Sequence, residues 1–183
     1  MGPLILWLLL AILAVATIAI YNSLVQLRNE VRNGWSQTDV QLKRRHDLVP
    51  NLVETVKGYA LHESETLENV TRARNQAVGT EGVAAQGAAE AGLTAALSRF
   101  MMIVEQYPEL RANENFLRLQ EELSATENRI GFARQFYNDA VMRYNTRTQS
   151  FPGNIVAGFF RFVEERFFEI ADPGERRVPQ VQF

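Results

Sequence analysis

An apolar run at the start of the sequence constrains what this chain can fold into. Residues 3–21 carry no charged or amide side chain. As a helix they would extend about 28 Å, at a rise of about 1.5 Å per residue, which is close to the hydrocarbon thickness of a bilayer. Trp7 and Tyr21 lie toward the two ends of the run, where amphipathic rings favour the headgroup level. The run predicts a transmembrane helix at residues 1–21.

A cleaved secretory signal is the alternative interpretation of the same run. Ala14 and Ala16 resemble the small residues of a signal cleavage site. However, no Lys or Arg precedes the run, and the run is longer than the apolar core of a usual signal, so a retained anchor is favoured. Arg28 and Arg32 follow the span, and the positive-inside rule therefore predicts a single-pass protein with the remaining chain in the cytoplasm.

The composition of the remaining chain favours one helical domain. With 183 residues in all, the part outside the span has the size of one ordinary domain. The net charge of −2 gives no indication of a nucleic-acid partner, and the absence of cysteine excludes disulfides and cysteine metal sites. Few Pro or Gly residues and no alternating β-branched pattern predict an all-α fold, in which the transmembrane helix continues into an up-and-down, antiparallel helical bundle.

Helical periodicity continues past the apolar run. Mostly apolar residues recur at steps of three and four from Leu24 to Leu42, so one helix is expected to leave the membrane and enter the bundle as a rigid connection. At Pro50 either Asp47 caps a new helix or the first helix continues with a kink. The continued helix is favoured, because the helical pattern is strong on both sides. Another helix is predicted over residues 63–78.

Two further helices are predicted before residue 150. The Gly- and Ala-rich residues 79–92 predict a loose turn with little to bury, followed by helix to about Gln106. Residues 107–109 interrupt this helix, and Asn113 is the predicted cap of the next one. That helix, ended by Pro152, carries a heptad seam typical of nearly parallel or antiparallel helix packing. The seam consists of Phe116, Leu123, Ile130, Tyr137 and Tyr144.

Residues 155–170 predict a last helix with a phenylalanine-rich face, which completes a bundle domain at residues 22–170. This helix could lie in the membrane interface, dock on another chain or cap its own bundle. It lacks the Lys and Arg excess of a membrane-surface helix, so packing on protein is favoured. The residues expected to mediate assembly are Phe159, Phe160, Val163 and Phe167. Residues 171–183 predict an irregular tail.

Two sets of polar residues are candidates for a binding groove between helices. If they meet, they could hold a peptide or a small polar ligand. Polar residues in bundles more often fix the register of the helices through hydrogen bonds, and that interpretation is favoured. The sets are Asp47, Asn51 and Glu54 in the first helix, and Glu127, Asn128, Arg134, Asn138 and Asn145 in the longest later one.

No motif for catalysis or metal binding is present in the sequence. His46 and His62 do not form a zinc motif, and neighbouring carboxylates such as Glu121 and Glu122 point to different faces of a helix. The basic residues 43–45 would lie about 33 Å beyond the span, so a solvated or salt-bridged face is expected there rather than a lipid site. We expect no enzyme activity, cofactor or metal.

The block from Trp35 to Ala60 closely resembles the LemA family. The resemblance continues through residues 107–110 and 119–123 and the repeated Tyr-Asn pairs at 137–138 and 144–145. It implies a bacterial inner-membrane protein with one span, a helical-bundle domain and no established enzymatic activity. It also implies a role in membrane protein quality control or envelope stress beside membrane metalloproteases, and a relative serves in organelle membrane biogenesis.

Together these observations predict a membrane-anchored scaffold or adaptor. Such a protein would form a homo-oligomer, bind another membrane protein, or do both. The alternative is a receptor that senses a ligand or peptide through the polar groove.

Overall fold

The computed structural model describes residues 2–60 and 63–169, and its regular structure is helical. The helices follow each other in the order α1 (Gly2–Lys57), α2 (Ser64–Val78), α3 (Val83–Val104), α4 (Pro108–Arg111), α5 (Glu114–Gln149) and α6 (Gly153–Phe159). No strand occurs within these described ranges. The predicted all-α fold, with an apolar N-terminal helix that continues into a helical bundle, is confirmed. Ile170 and the predicted tail at residues 171–183 lie outside the described residues.

Two compact units make up the chain. Unit 1 consists of Met1–Thr38 and Ala133–Phe167. Unit 2 consists of Asp39–Phe132 and Phe168–Phe183. Both α1 and α5 contribute residues to each unit, so the chain passes between the units within these two helices, and once more after Phe167.

In unit 1, α1 and α5 run antiparallel. Oε2 of Glu30 and Nη2 of Arg143 form an ion pair at 3.2 Å, and the ring centres of Trp35 and Tyr137 lie 5.5 Å apart. Gly34 allows the close approach of the two backbones, because a Cβ at this position would lie only 3.1 Å from the Cα of Tyr137.

In unit 2, α1, α2, α3 and α5 enclose an apolar core. Asn113 caps α5 as predicted, since its Oδ1 accepts the N–H groups of Asn115 and Phe116. All five residues of the heptad seam are buried, which confirms the predicted packing face of α5. Members of the unit 2 core include Val49, Leu52, Val56, Val70, Leu93, Leu97, Phe100, Leu110, Phe116 and Leu123.

The first helix continues through Pro50, as the favoured interpretation predicted, and the kink at this position stays a prediction. Proline has no N–H to donate to the carbonyl group four residues earlier, which here belongs to His46. The Nε of Arg74 on α2 donates to this carbonyl oxygen instead, at 3.1 Å. A side chain from the neighbouring helix therefore satisfies the acceptor that Pro50 leaves without its usual partner.

The Gly- and Ala-rich stretch differs from its prediction in burial. The turn covers only residues 79–82, and α3 begins at Val83. Contrary to the expectation of little to bury, Gln86, Gly87, Ala89 and Glu90 are all buried. Small side chains let the chain approach closely here, since a Cβ at Gly87 would clash with the carbonyl group of Glu169.

The predicted last helix is too long. Instead of reaching Ile170, α6 ends at Phe159, and residues 162–169 are irregular. Arg161 adopts the left-handed conformation (φ 58°), and the N–H of Phe162 donates to the carbonyl oxygen of Ala157 at 2.9 Å. This is a Schellman-type stop with arginine at the position that glycine usually occupies. Phe162, partly buried, packs next to this residue against Leu24 of α1 and against α6.

Candidate functional site

A network of buried charges joins α1, α3 and α5 in unit 2. Arg45 and Glu90 are fully buried and form an ion pair between Nη2 and Oε2. The Nη1 of Arg45 also donates to Oε1 of Glu127 at 2.8 Å. The Nε2 of His46 lies 2.8 Å from Oε1 of Glu90, and the Nε2 of Gln86 donates to the same oxygen at 2.7 Å.

The network keeps Glu90 ionised. Burial raises the pKa of Glu90, but the hydrogen bond from His46 and the charge and hydrogen bond of Arg45 outweigh it, and the pKa lies below its ordinary value of 4.5. Because an ionised carboxylate can only accept, the Nε2 of His46 carries the hydrogen in this contact. Both carboxylate oxygens are hydrogen-bonded to protein side chains, so the network ties α1, α3 and α5 together within unit 2.

Sequence reasoning did not find this network. Residues 43–45 were expected to form a solvated or salt-bridged face. Lys43 and Arg44 are exposed, whereas Arg45 is buried and salt-bridged. Glu90 was missed, because it lies in a stretch of small residues whose composition suggested no core. The available signal was a charged residue in the first half of a mostly apolar helix, whose other charged residue is Arg99 near its end.

The predicted groove residues are divided between the two units. In unit 1, Arg134, Asn138 and Asn145 lie partly buried on α5. In unit 2, Glu127 binds Arg45, and three side chains of the first helix are exposed. The unit 2 members of the predicted groove are Asp47, Asn51, Glu54, Glu127 and Asn128.

A cleft of about 610 Å³ opens in unit 2 between the end of α1 and α2. Glu54 is the one predicted groove residue among those that line it. Its lining combines apolar side chains with acidic and basic ones. It includes Val53, Glu54, Lys57, Leu67, Glu68 and Arg72. This mixture of apolar surface and opposite charges could hold a small zwitterionic ligand or a peptide.

In unit 1, side chains of α5 hold the segment that follows α6. Asn145 donates from Nδ2 to the carbonyl oxygen of Glu165 and accepts the N–H of the same residue at Oδ1, both at 2.9 Å. The hydroxyl of Tyr144 donates to the carbonyl oxygen of Val163 at 2.9 Å. The second Tyr-Asn pair noted in the sequence therefore binds an extended segment of its own chain.

The hydroxyl of Tyr137 completes this contact by donating to the carbonyl oxygen of Arg166 at 2.8 Å. Burial, followed by the charge of Glu165, raises the pKa of Tyr137 to about 12. The same two causes raise the pKa of Tyr144, although Arg28 and Arg32 act in the opposite direction. Both phenols therefore remain hydrogen-bond donors at any physiological pH.

The residues predicted to mediate assembly are exposed in unit 1. Phe159 is 81% exposed and Val163 is 76% exposed, and Phe160 and Phe167 are less so. Their role in assembly stays a prediction. Within residues 2–60 and 63–169, no three acidic or histidine side chains converge on a possible metal position, and His62 lies outside these ranges.

These features define an all-helical protein whose first helix begins with an apolar, unburied segment. The family model described as LemA family matches residues 34–183, which is most of the chain. The chain belongs to the LemA family.

Several relatives resemble the chain over most of its length. Magnetosome protein MamQ 2 of Paramagnetospirillum magneticum is 25% identical, over 86% of this chain and 68% of the relative. Magnetosome protein MamQ of Magnetospirillum gryphiswaldense is 24% identical, over 88% of this chain and 70% of the relative. Protein LemA of Metamycoplasma hominis is 28% identical, over 74% of this chain and 63% of the relative.

Proposed function

We propose that this protein is a membrane-anchored helical scaffold or adaptor. The observation that carries this proposal is the start of α1, where an apolar window long enough to cross a bilayer has none of its residues buried. The same helix then continues to Lys57 and supplies core residues to unit 2. A helix that is apolar on all sides and unburied at one end needs an apolar surrounding there, which a bilayer supplies.

A second helix, α3, is also long and apolar enough to span a membrane. Its apolar window is 39% buried, and Leu93, Leu97 and Phe100 belong to the unit 2 core. It also carries Glu90, whose ion pair lies inside the protein. We therefore assign the membrane anchor to α1 and a core position to α3.

The anchor is tested by placing charges in the proposed span. Each arginine at the centre of a span costs about 2.5–3.5 kcal/mol on an insertion scale. We expect the double variant Leu9→Arg and Ile12→Arg to leave the alkali-resistant membrane fraction, and the control Val40→Arg, at an exposed position of unit 2, to remain there. Retention of the double variant in that fraction would contradict the proposal.

The scaffold part of the proposal draws on apolar side chains that unit 2 exposes. Phe132 is 73% exposed, and Leu117 and Met102 are also exposed. Such side chains are available to a second copy or to another membrane protein. We expect the full-length protein, extracted in mild detergent, to have a mass by light scattering above that of one chain, or to carry a second protein. Phe132→Glu should reduce this mass. If the unmodified protein has the mass of one chain and carries no second protein, the scaffold role is contradicted.

We propose the inner membrane of a bacterium as the location, with the two units on the cytoplasmic side. Arg28 and Arg32 close to the span support this orientation. The chain has no cysteine, so Ser36→Cys introduces a single thiol at an exposed position of α1. A membrane-impermeant maleimide should label this thiol only after the spheroplasts have been lysed. Labelling of intact spheroplasts would reverse the orientation.

A receptor that senses a ligand or peptide is the second candidate function. It is favoured by the cleft of about 610 Å³, whose lining includes the charged Glu54. Free amino acids and short peptides should then raise the melting temperature of the protein, and Glu54→Ala should abolish this shift without changing the melting temperature of the unliganded protein. Because Asn51 is exposed and does not line the cleft, Asn51→Ala is the matched control.

A further inference from the structure

In unit 1, α6 packs against α1 at the end of the apolar run. Val156 and Ala157 bury against Leu24, and Ile20 packs at the edge of this cluster. The ring centre of Phe160 lies 4.8 Å from the ring centre of Tyr21. Because α1 rises about 1.5 Å per residue, these contacts cover only about 6 Å of its axis. The position of α6 along α1 is therefore fixed at the last turn of the proposed span.

Beside this contact, α6 and the residues next to it expose large apolar side chains. Ile155 and Phe159 lie one helical turn apart and are 63% and 81% exposed, and Phe151 just before the helix is 78% exposed. Phe160 is partly exposed beside them. We call Phe151, Ile155, Phe159 and Phe160 the aromatic face. Apolar side chains grouped in this way on a soluble surface mark a contact with a partner or a membrane.

The aromatic face continues the apolar surface of the span. Residues 4–18 of α1 expose large apolar side chains, and Tyr21 joins this surface to α6 through its contact with Phe160. The guanidinium of Arg28 lies 4.9 Å from the ring centre of the partly buried Phe162. Arg161 is exposed where α6 ends, and the acidic Glu164 is exposed soon after it, so charge does not favour a membrane contact here and the apolar surface alone does.

We propose that the aromatic face lies in the headgroup region of the same bilayer that holds the start of α1, as a second membrane contact. This inference rests on the proposed anchor. An apolar helix face buries about 5–10 Å into the boundary between headgroups and acyl chains, which is the level at which the contacts with Tyr21 hold α6. Two contacts with one bilayer restrict the tilt of unit 1 relative to the membrane.

The absence of cysteine makes a depth measurement direct. Spin labels are attached to single-cysteine variants of the full-length protein in vesicles of phosphatidylcholine and phosphatidylglycerol. Collision rates with oxygen, which concentrates in lipid, and with a water-soluble nickel chelate then report depth. Phe159→Cys and Ile155→Cys probe the aromatic face, and Leu13→Cys probes the span. Phe136→Cys is the matched control, because this partly exposed phenylalanine of unit 1 lies beside Gly34, about 20 Å further along α1 than Tyr21.

The expected result is a graded depth. The oxygen collision rate at Phe159 and Ile155 should exceed that at Phe136 several-fold, the nickel rate should fall, and Leu13 should be deepest. If Leu13 lies in the hydrocarbon while Phe159 and Ile155 match Phe136, the inference is overturned and the anchor stands. Protection of Phe159 from both reagents would place it against protein, as a contact between copies would, and also overturns the inference. If Leu13 is exposed to water, both the anchor and the inference fail.

Discussion

The Nε of Arg74 donates a hydrogen bond of 3.1 Å to the carbonyl oxygen of His46, four residues before Pro50. Through this contact, a side chain of α2 replaces the backbone donor that proline lacks. It gives a local reason for a helix that runs from Gly2 to Lys57 with a proline inside it.

This contact predicts coupling between residues 74 and 50. We expect Arg74→Met to lower stability by about 1–3 kcal/mol, because it leaves the carbonyl of His46 without a donor. In a Pro50→Ala background the same change should cost less, since the introduced alanine supplies its own N–H. Unfolding curves of the four proteins in detergent measure the coupling. Arg72→Met, an exposed change on the same helix, is the control. An equal cost of Arg74→Met in both backgrounds would disprove the compensation.

The ion pair of Glu90 and Arg45 predicts a large effect of a small change. Glu90→Gln keeps the shape of the side chain but leaves the buried charge of Arg45 with Glu127 alone, at a cost of about 3 kcal/mol. The melting temperature should fall by roughly 6–12 °C. Glu127 is 38% exposed, so Glu127→Gln should cost less than about 1 kcal/mol. Glu121→Gln, an exposed change, controls for loss of charge. Equal effects of the three variants would show that burial of this pair is unimportant.

Acid should weaken the protein through the same carboxylate. The pKa of Glu90 is lower in the folded protein than the ordinary value of 4.5, so its contribution to stability is complete above that value. The contribution disappears as the pH falls through the lower folded pKa. The melting temperature of the wild type should therefore approach that of Glu90→Gln as the pH is lowered from 6 to values well below 4.5. A constant difference over this range would mean that Glu90 does not titrate as its surroundings predict.

Asn145 is expected to control access to the segment after α6. Asn145→Ala removes two hydrogen bonds to Glu165, worth about 1–3 kcal/mol together. Trypsin cleavage after the exposed Arg166 should then accelerate roughly tenfold, since cleavage follows opening of the segment. Far-UV circular dichroism should stay unchanged. Asn128→Ala, an exposed amide on the same helix, should cleave at the wild-type rate. Unchanged cleavage of Asn145→Ala would show that other contacts hold the segment.

Two glycines of α3 should respond in opposite directions to the same substitution. At Gly92 a Cβ meets nothing within 4 Å, so Gly92→Ala should stabilise the helix by about 0.5–1 kcal/mol. At Gly87 a Cβ would clash with the backbone carbonyl of Glu169, so Gly87→Ala should lower the melting temperature despite the gain in helix propensity. If both variants are stabilised, Glu169 does not lie against Gly87 in solution.

The sequence predicted the features that repeat at short range. The heptad seam from Phe116 to Tyr144 is visible as a period, and the cap at Asn113 depends on residues two and three positions away. The continuation of α1 past Pro50 followed from the pattern on both sides. The hydrogen bond from Arg74 that compensates for proline could not be predicted in this way, because Arg74 is far from Pro50 in sequence.

Features set by distant contacts were missed or wrong. To predict the ion pair of Glu90 one must know which residue of α1 faces α3, and no local sequence pattern carries that information. The helix predicted to Ile170 follows the apolar period correctly as far as Phe159. Beyond it, hydrogen bonds between the backbone and the side chains of Tyr144 and Asn145 outweigh a helical preference that is weak in any single residue.

The composition of unit 1 has a consequence for synthesis. Its core joins Leu24 to Val156 and Ala157, residues from opposite ends of the chain. During translation, the start of α1 leaves the ribosome long before its partners exist. Unit 1 can therefore close only after residues 133–167 have been made, and until then the emerging polypeptide presents an incomplete apolar surface to chaperones.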